Sequence, residues 1–169
     1  MSGSIQTLTL FEKFLDSYSV YYNVNRDSAK EPFDAEAVFY NNEQQYFLVK
    51  AAKISEMNTA EFAFFKTVDI LDKERLIEYD KLAWNEGMSR VKPDSNHKNS
   101  DVVLIIIADR IEEDAKALIK KLKHSKNYRF SLWGFSNYRL VAVESSSNTA
   151  CFNRQGSILR KLVGNIISQ

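Results

Sequence analysis

The chain has 169 residues, 44% of them hydrophobic and 12% aromatic, with only five glycines and two prolines; this excludes a disordered chain and predicts a single domain over residues 1–169. The longest apolar run, residues 102–108, is too short to cross a bilayer, and a single cysteine excludes an intrachain disulfide. The net charge of +1 excludes a strong overall attraction to nucleic acid or to a membrane.

The spacing of apolar residues predicts ten elements in the order α-β-β-β-α-β-α-β-β-α. Apolar residues that recur every three or four positions indicate helices, whereas short alternating or continuous apolar runs indicate strands. The predicted elements cover residues 9–22, 33–40, 46–52, 60–67, 70–91, 102–108, 112–124, 128–133, 139–144 and 157–168. Thr9 with Glu12 and Asp109 with Glu112 have the spacing of a capping box and mark the starts of the first and third helices.

The connections predict an α/β (α+β mixed) fold, a single mixed sheet of about six strands flanked by helices. The helix over 112–124 should join two parallel strands, and the neighbouring hairpins should be antiparallel. Asp109 and Trp133 then end on one edge of the sheet, and Asn137 and Arg139 join them at the start of the returning strand. Because ligands favour the carboxyl ends of parallel strands, we predict ligand binding by these four residues, with His97 at the opposite edge.

Asp80 is the exception on an otherwise apolar helix face. In the helix predicted over 70–91, one half of the helical wheel carries apolar side chains, and Asp80 falls within that half. Because a buried charge needs a partner, we expect Asp80 to be partly buried and paired with a basic residue or with backbone donors.

The sequence contains no glycine-rich nucleotide loop and none of the common signatures of zinc proteases or serine hydrolases. One cysteine and two histidines, His97 and His124, are too few for an ordinary structural zinc site. A pairing of Cys151 with a distant histidine has no support from its neighbours, so we expect an inert cysteine. We therefore predict no metal site and no cofactor.

The order α-β-β-β-α-β resembles the core of the restriction-endonuclease-like nucleases. The resemblance implies a metal site made from an acid on one strand and an acid-x-lysine pattern on the next. Glu61 and Lys66 on the third predicted strand are five positions apart and therefore on opposite faces. Asp34 and Glu36 share a face without a paired lysine, and Glu36 is expected to form a cross-strand ion pair with Lys50. We expect no metal-dependent DNA cleavage.

Residues 133–139 and 153–156 mix aromatic residues, hydrogen-bond donors and glycine in predicted loops. Loops are where a rigid scaffold usually presents its functional groups. Together with His97, the strand over 101–109 and residues 128–130, they are similar to a family of small uncharacterised bacterial proteins. Since that family has no established activity, the resemblance implies a fold unit and assigns no role to any residue.

The basic residues are concentrated towards the end of the chain. Residues 1–109 contain 12 basic and 18 acidic residues, whereas residues 110–169 contain 11 and 4. Such a split indicates either a basic binding face or two parts of one fold that attract each other, and the second interpretation is favoured. The nucleic-acid-binding candidates are Lys120, Lys121, Lys123, Lys126 and Arg129. Lysines at a helix end also complement the helix dipole, which is the simpler interpretation.

Many aromatic residues without a catalytic constellation favour a non-enzymatic interaction or binding module that self-associates. The alternative is a diverged nuclease-like fold that binds nucleic acid through the basic part of the chain, and an enzyme acting on a small molecule ranks third. We expect no membrane association. The amino terminus has no secretory signal, which predicts a cytoplasmic protein.

Overall fold

The computed structural model describes residues 3–42, 58–95 and 97–168. The helices in this part of the chain are α1 (Ile5–Ser19), α2 (Lys73–Arg90), α3 (Glu113–Ile119) and α4 (Arg160–Ile167), the last preceded by a 3₁₀ helix at Gly156–Leu159. The strands are β1 (Asn23–Asn25), β2 (Ala35–Asn42), β3 (Asn58–Leu71), β4 (His97–Ile111), β5 (Ser125–Asn127), β6 (Phe135–Glu144) and β7 (Thr149–Phe152). None of the helices in the described residues is long and apolar enough to span a membrane.

The strands form one mixed sheet in the order β1-β2-β3-β4-β6-β5, and β7 pairs with the carboxyl-terminal half of β6. β3, β4 and β6 run parallel to one another, and the other pairs are antiparallel. The parallel part exists because α2 joins β3 to β4 and α3 joins β4 to β6, since parallel neighbours need a crossover connection. The predicted fold class, a mixed sheet flanked by helices, is confirmed.

Helices cover both faces of the central strands, which explains the continuous aliphatic run in β4. We call the side covered by α1 and α4 the α1 face, where β4 contributes Val103, Ile105 and Ile107. We call the side covered by α2 and α3 the α2 face, where β4 contributes Val102, Leu104 and Ile106. The alternation of side chains along each strand therefore decides on which side every polar residue of the sheet lies.

The first helix begins earlier than the capping-box spacing predicts. Ser4 is its N-cap, with a side chain that accepts a hydrogen bond from the Thr7 N–H at 3.3 Å. Thr9 instead lies within α1 and donates to the Ile5 carbonyl at 2.8 Å. Serine and threonine are both favoured at the N-cap position, so the sequence offered two candidate caps, Ser4 and Thr9.

The predicted strand over 46–52 lies outside the described residues, and with it Lys50, the expected partner of Glu36. β2 pairs with β3 from Ala35 to Asn42. In the described structure Glu36 accepts a hydrogen bond from Arg90, at the carboxyl-terminal end of α2, at 2.7 Å. This ion pair ties the second strand to the helix that covers it.

The main correction concerns the segment predicted as a strand over 128–133, which is a turn. Arg129, Phe130 and Ser131 have φ angles of 45°, 54° and 68°, in the left-handed region that side chains with a Cβ adopt only at a cost. Apolar residues alternate through the segment, so its hydrophobic pattern imitates a strand. The strand that follows, β6, runs parallel to β4, whereas a returning antiparallel strand was predicted.

Candidate functional site

The four predicted ligand-binding residues lie at two opposite ends of the sheet. The register between β4 and β6 pairs Asp101 with Asn137. Asp109 follows eight residues further along β4, roughly 26 Å away for an extended strand. Trp133, Asn137 and Arg139 therefore lie at the amino-terminal end of β4, and the predicted grouping of these residues with Asp109 is wrong.

Asp109 stabilises the start of α1. Its carboxylate accepts hydrogen bonds from the Ser4 N–H at 2.8 Å and from the Thr7 hydroxyl. Although partial burial raises the pKa of Asp109, these hydrogen bonds lower it below its ordinary value. The expected cap of the third helix is wrong, because Glu112 is the N-cap residue of α3 and makes no side-chain capping bond.

Arg139 is held on the α1 face by two buried carboxylates. Its guanidinium donates to Glu61 at 2.6 Å and to Asp101 at 2.6 Å, and the Tyr22 hydroxyl donates to Glu61 at 2.8 Å. Burial raises the pKa of both carboxyl groups, and the positive charge of Arg139 opposes that rise. Two carboxylates and one guanidinium therefore form a buried ion-pair cluster at this end of the α1 face. Ligand binding by Arg139 stays a prediction.

The prediction for Asp80 is confirmed. Asp80 is 5% exposed, and its Oδ2 lies 2.8 Å from Nε2 of His124. The His124 ring stacks on Trp84, with centroids 5.2 Å apart, and meets Tyr138 edge-on at 4.9 Å. Burial, followed by the nearby Asp80 carboxylate, raises the pKa of the Tyr138 hydroxyl. Through these contacts His124, in the segment after α3, packs against Asp80 and Trp84 of α2.

The positions considered for a nuclease-like centre carry a structural ion pair. Asp34 accepts from the Lys66 ammonium at 3.2 Å and from the Thr67 N–H at 2.7 Å. Phe64 stands two positions before Lys66, where the acid-x-lysine pattern needs a carboxylate. Among the residues that the structure describes, no group of three or more histidine, cysteine or acidic side chains could hold a metal ion.

Cys151 is half-buried on β7. Burial raises the pKa of its thiol, while Lys116 and Lys120 oppose that rise. A raised thiol pKa means less thiolate, the form that acts as nucleophile. This supports the interpretation of Cys151 as inert.

A break in the strand register brings His97 and Ser100 together on the α2 face. The pairing of β4 with β3 passes from His97 directly to Asn99, so Lys98 has no partner on β3. In a regular strand, residues three positions apart point to opposite faces, but this bulge reverses the side of His97. Nothing in the sequence signals the bulge, which is why this pair was not among the predicted site residues.

His97 makes a hydrogen bond with each ring nitrogen. Nδ1 lies 2.7 Å from the backbone carbonyl oxygen of Trp133, and Nε2 lies 2.9 Å from the Ser100 hydroxyl. Tyr128 meets the imidazole edge-on, with centroids 5.3 Å apart, and shares a hydrogen bond of 2.9 Å with Ser136. The rings of His97 and Tyr128 and the hydroxyl groups of Ser100, Tyr128 and Ser136 are therefore held by contacts on the same face of the sheet.

Gly134 allows this arrangement. A Cβ at Gly134 would lie 2.2 Å from the carbonyl oxygen of Lys98, and its φ of 77° lies in the left-handed region. Only glycine fits both conditions. The close approach positions the preceding residue, Trp133, so that its carbonyl reaches His97.

His97 and Ser100 line a cavity of about 350 Å³ at the carboxyl-terminal end of α2. Ala60 and Phe62 give the lining apolar surface, and the lining also carries polar and charged side chains. The remaining lining residues are Tyr40, Thr59, Arg90, Val91, Lys92 and Asp94. A cavity of this size, with both apolar surface and several polar groups in its lining, has the character of a small-molecule site.

A second feature at this end of the sheet is the turn of residues 128–134, which we call the display turn. Hydrogen bonds from the Tyr128 N–H to the Gly134 carbonyl at 3.0 Å and from the Trp133 N–H to the Tyr128 carbonyl at 3.2 Å close it. Phe130 at its tip is fully exposed, and Leu132 is 79% exposed. The turn is therefore ordered and still leaves two large apolar side chains in solvent.

The candidate nucleic-acid residues run along the chain from the end of α3 to Arg129, the second residue of the display turn. α3 ends at Ile119, so only the first of the lysines stands at the helix terminus, and the others follow on the extended segment and the turn. All of Lys120, Lys121, Lys123, Lys126 and Arg129 are exposed. The Arg129 guanidinium lies 3.8 Å above the Trp133 ring. The helix dipole therefore accounts for only part of this basic run.

Fold and site together define a mixed α/β protein with helices on both faces and, at one end of its sheet, a cavity lined by polar and apolar side chains. A model of the family described as a domain of unknown function, DUF8052, matches residues 7–164, and the chain belongs to that family. No curated protein and no solved structure matches the chain. The expected membership of an uncharacterised family is confirmed, whereas a bacterial origin stays a prediction.

Proposed function

We propose that the protein is an interaction module that binds a partner protein through the display turn. The observation that carries the proposal is the run of three left-handed residues, Arg129 to Ser131, that holds Phe130 fully in solvent. Each such residue costs about 1–3 kcal/mol, and strained backbone of this kind concentrates at functional sites. Exposed aromatic and aliphatic side chains at an ordered turn are suited to fill a pocket on a partner.

The charges around the turn support an acidic partner. Residues 115–143 contain no aspartate or glutamate. Lys126 and Arg129 are exposed and precede the two exposed apolar side chains in the chain, so this surface combines basic and apolar groups. Electrostatic complementarity requires carboxylates around the partner's pocket and accelerates association.

The same charges argue against a second copy of this turn as the partner. Two display turns in contact would bring Arg129, and Lys126 just before the turn, against the same residues of the other chain, and like charges at an interface are unfavourable. Self-association of the chain elsewhere stays a prediction, which sedimentation velocity over a range of protein concentrations tests.

Nucleic acid is the second candidate, supported by the exposed cations at 120–129. Phosphate contacts by lysine and arginine give binding that weakens steeply with salt, and Phe130 could stack on an unpaired base. The protein partner is favoured because Leu132, the second exposed anchor, has no flat ring to stack.

A peptide selection tests the proposal. Displayed random peptides are selected on wild-type protein and on the double variant Phe130→Ser/Leu132→Ser, with Ile158→Ser as the matched control because Ile158 is 69% exposed elsewhere. We expect enriched peptides that combine acidic and apolar residues, with at least about tenfold weaker binding to the double variant and no change in the control. Exposed substitutions change the free energy of unfolding by about 0.5 kcal/mol or less, so folding does not confound the comparison.

Two results would contradict a protein partner. The first is the absence of any enriched peptide class that depends on Phe130 and Leu132. The second is salt-dependent binding of a single-stranded oligonucleotide that is lost in a Lys121→Ala/Lys123→Ala variant, with no peptide binding. That second result would establish the nucleic-acid alternative.

A further inference from the structure

The cavity at the end of α2 contains a hydrogen-bonded histidine and serine, His97 and Ser100, which the interaction proposed for the display turn does not use. We propose that Ser100 is a nucleophile and His97 its general base, in a site that transfers the acyl group of a small carboxylic ester to water. This activity goes beyond the interaction proposed above and does not depend on it.

The Trp133 carbonyl decides which nitrogen of His97 carries the proton. A carbonyl oxygen only accepts hydrogen bonds, so Nδ1, 2.7 Å away, must be the protonated nitrogen of the neutral ring. Nε2 then holds the free electron pair and faces the Ser100 hydroxyl at 2.9 Å. Ser100 must therefore donate its proton to Nε2, which is the arrangement that a serine nucleophile and its base require.

The carbonyl also replaces the carboxylate that usually orients such a histidine. When Nε2 takes the proton, the imidazole becomes a cation, and its Nδ1–H remains bonded to the Trp133 oxygen. Gly134 keeps that oxygen in place through its close approach to Lys98. The orienting group is thus part of the backbone and carries only a partial negative charge.

The reaction can be written with all atoms accounted for. Ser100 Oγ attacks the carbonyl carbon of the ester as its proton moves to Nε2 of His97, and the carbonyl electron pair becomes an oxyanion. The oxyanion collapses and expels the alcohol oxygen, which takes the proton from Nε2. Water then attacks the acyl-serine with His97 again as base, which releases the carboxylic acid and restores Ser100.

The cavity suits the charge and size of this reaction. Lys92 lines the same cavity as Ser100, and a cation there favours the negative charge that develops on the oxyanion. Arg90 is already engaged by Glu36 and Glu86, at 2.7 and 3.0 Å, and so serves to shape the wall. A volume of about 350 Å³ is large enough to admit a small ester.

The bulge at Lys98 is the feature that distinguishes this pair from a chance contact. Without it, His97 would point to the α1 face, away from Ser100. Bulges recur next to active sites because they re-aim one side chain. The same contacts could instead only fasten the display turn to β4, and the experiment separates these two roles.

Covalent labelling tests the proposal on the full chain. The purified protein is treated with a small alkyl phosphonofluoridate, which reacts with activated serines, and the adduct is located by peptide mass spectrometry. We expect one adduct, on Ser100, that is absent in Ser100→Ala. Ser145→Ala is the matched control, because Ser145 is a buried serine at the opposite end of the sheet that lies 2.7 Å from the Thr7 hydroxyl, and this variant should label at the wild-type rate.

His97→Asn separates catalysis from structure. The asparagine amide can replace Nδ1 as donor to the Trp133 carbonyl, but it has no group at the position of Nε2. If His97 is the base, the labelling rate falls about 100-fold or more while urea unfolding stays close to wild type. The release of p-nitrophenol from p-nitrophenyl acetate, with an initial burst, gives a second readout of the same Ser100.

Three outcomes would overturn the proposal. They are no adduct on the wild-type protein together with no burst, an adduct that persists in Ser100→Ala, and an unchanged labelling rate in a folded His97→Asn variant. The first would leave the pair as a structural fastening of the turn, and the last would remove His97 as the base.

Discussion

Replacing Arg139 with methionine keeps most of the hydrocarbon part of the side chain and removes the charge that two buried carboxylates share. Glu61 is 9% exposed and Asp101 4% exposed, and each is hydrogen-bonded to the guanidinium at 2.6 Å. Breaking a buried pair by removing one partner costs about 3–5 kcal/mol, because the other charge stays buried without compensation. We expect Arg139→Met to lower the free energy of unfolding by this amount at about pH 7.5, measured by urea denaturation.

The loss should shrink as the pH falls. Burial already raises the pKa of Glu61 and Asp101, and removing Arg139 takes away the main opposing interaction, so both pKa values rise further. A carboxyl group whose pKa is higher in the folded than in the unfolded protein favours folding below its unfolded pKa, and this contribution disappears as the pH rises through the folded pKa. The variant should therefore recover part of its stability relative to wild type at about pH 5.

Arg26→Met is the matched control for this prediction. Arg26 forms an ion pair with Glu12, but both side chains are nearly half exposed. Exposed pairs contribute about 0–1 kcal/mol, so this variant should lose little stability and show no comparable recovery at low pH. An equal loss in both variants, or a loss in Arg139→Met that is the same at both pH values, would refute the reasoning from buried charge.

Three further changes test other parts of the structure. Asp109→Ala should cost about 0.5–2 kcal/mol in urea unfolding because α1 loses its acceptor, whereas Asp109→Asn should cost less; equal losses would mean that the carboxylate charge matters more than the hydrogen bond. Gly134→Ala should cost more than about 1 kcal/mol, because its Cβ would meet the Lys98 carbonyl; unchanged unfolding would contradict the close approach. With Mg²⁺ or Mn²⁺ the protein should not nick plasmid DNA, because Phe64 stands where a carboxylate must precede Lys66; metal-dependent nicking lost in Lys66→Ala would show the opposite.

Hydrophobic periodicity was sufficient to predict most of the fold. The continuous run in β4 predicted a strand covered on both sides, and the structure has buried apolar side chains of β4 on both faces of the sheet. The position of Asp80 on an apolar helix face predicted a buried, paired carboxylate, and the bond to His124 agrees. In both cases a local sequence pattern and one rule about burial were enough to predict the environment of the residues.

The site could not be predicted in the same way, because it depends on two local departures from regular geometry. The run of left-handed residues from Arg129 to Ser131 contains no glycine, and non-glycine residues at positive φ are uncommon. The bulge that reverses His97 leaves no mark in the sequence. One such error changes the predicted positions of several residues. Because residues 128–133 were treated as a strand, Trp133 was predicted at the end of the sheet where Asp109 lies.

Trp133 connects the two proposed sites through one residue. Its ring lies under the Arg129 guanidinium, which belongs to the display turn, and its carbonyl orients His97. We therefore expect a partner that binds Phe130 and shifts the turn to move the carbonyl oxygen that accepts the hydrogen bond from His97. If a peptide selected on the turn binds, we expect the rate of phosphonofluoridate labelling at Ser100 to change in its presence, and Phe130→Ser/Leu132→Ser to abolish that effect. An unchanged rate at saturating peptide would mean that the turn binds without moving this carbonyl, and that the two sites act independently.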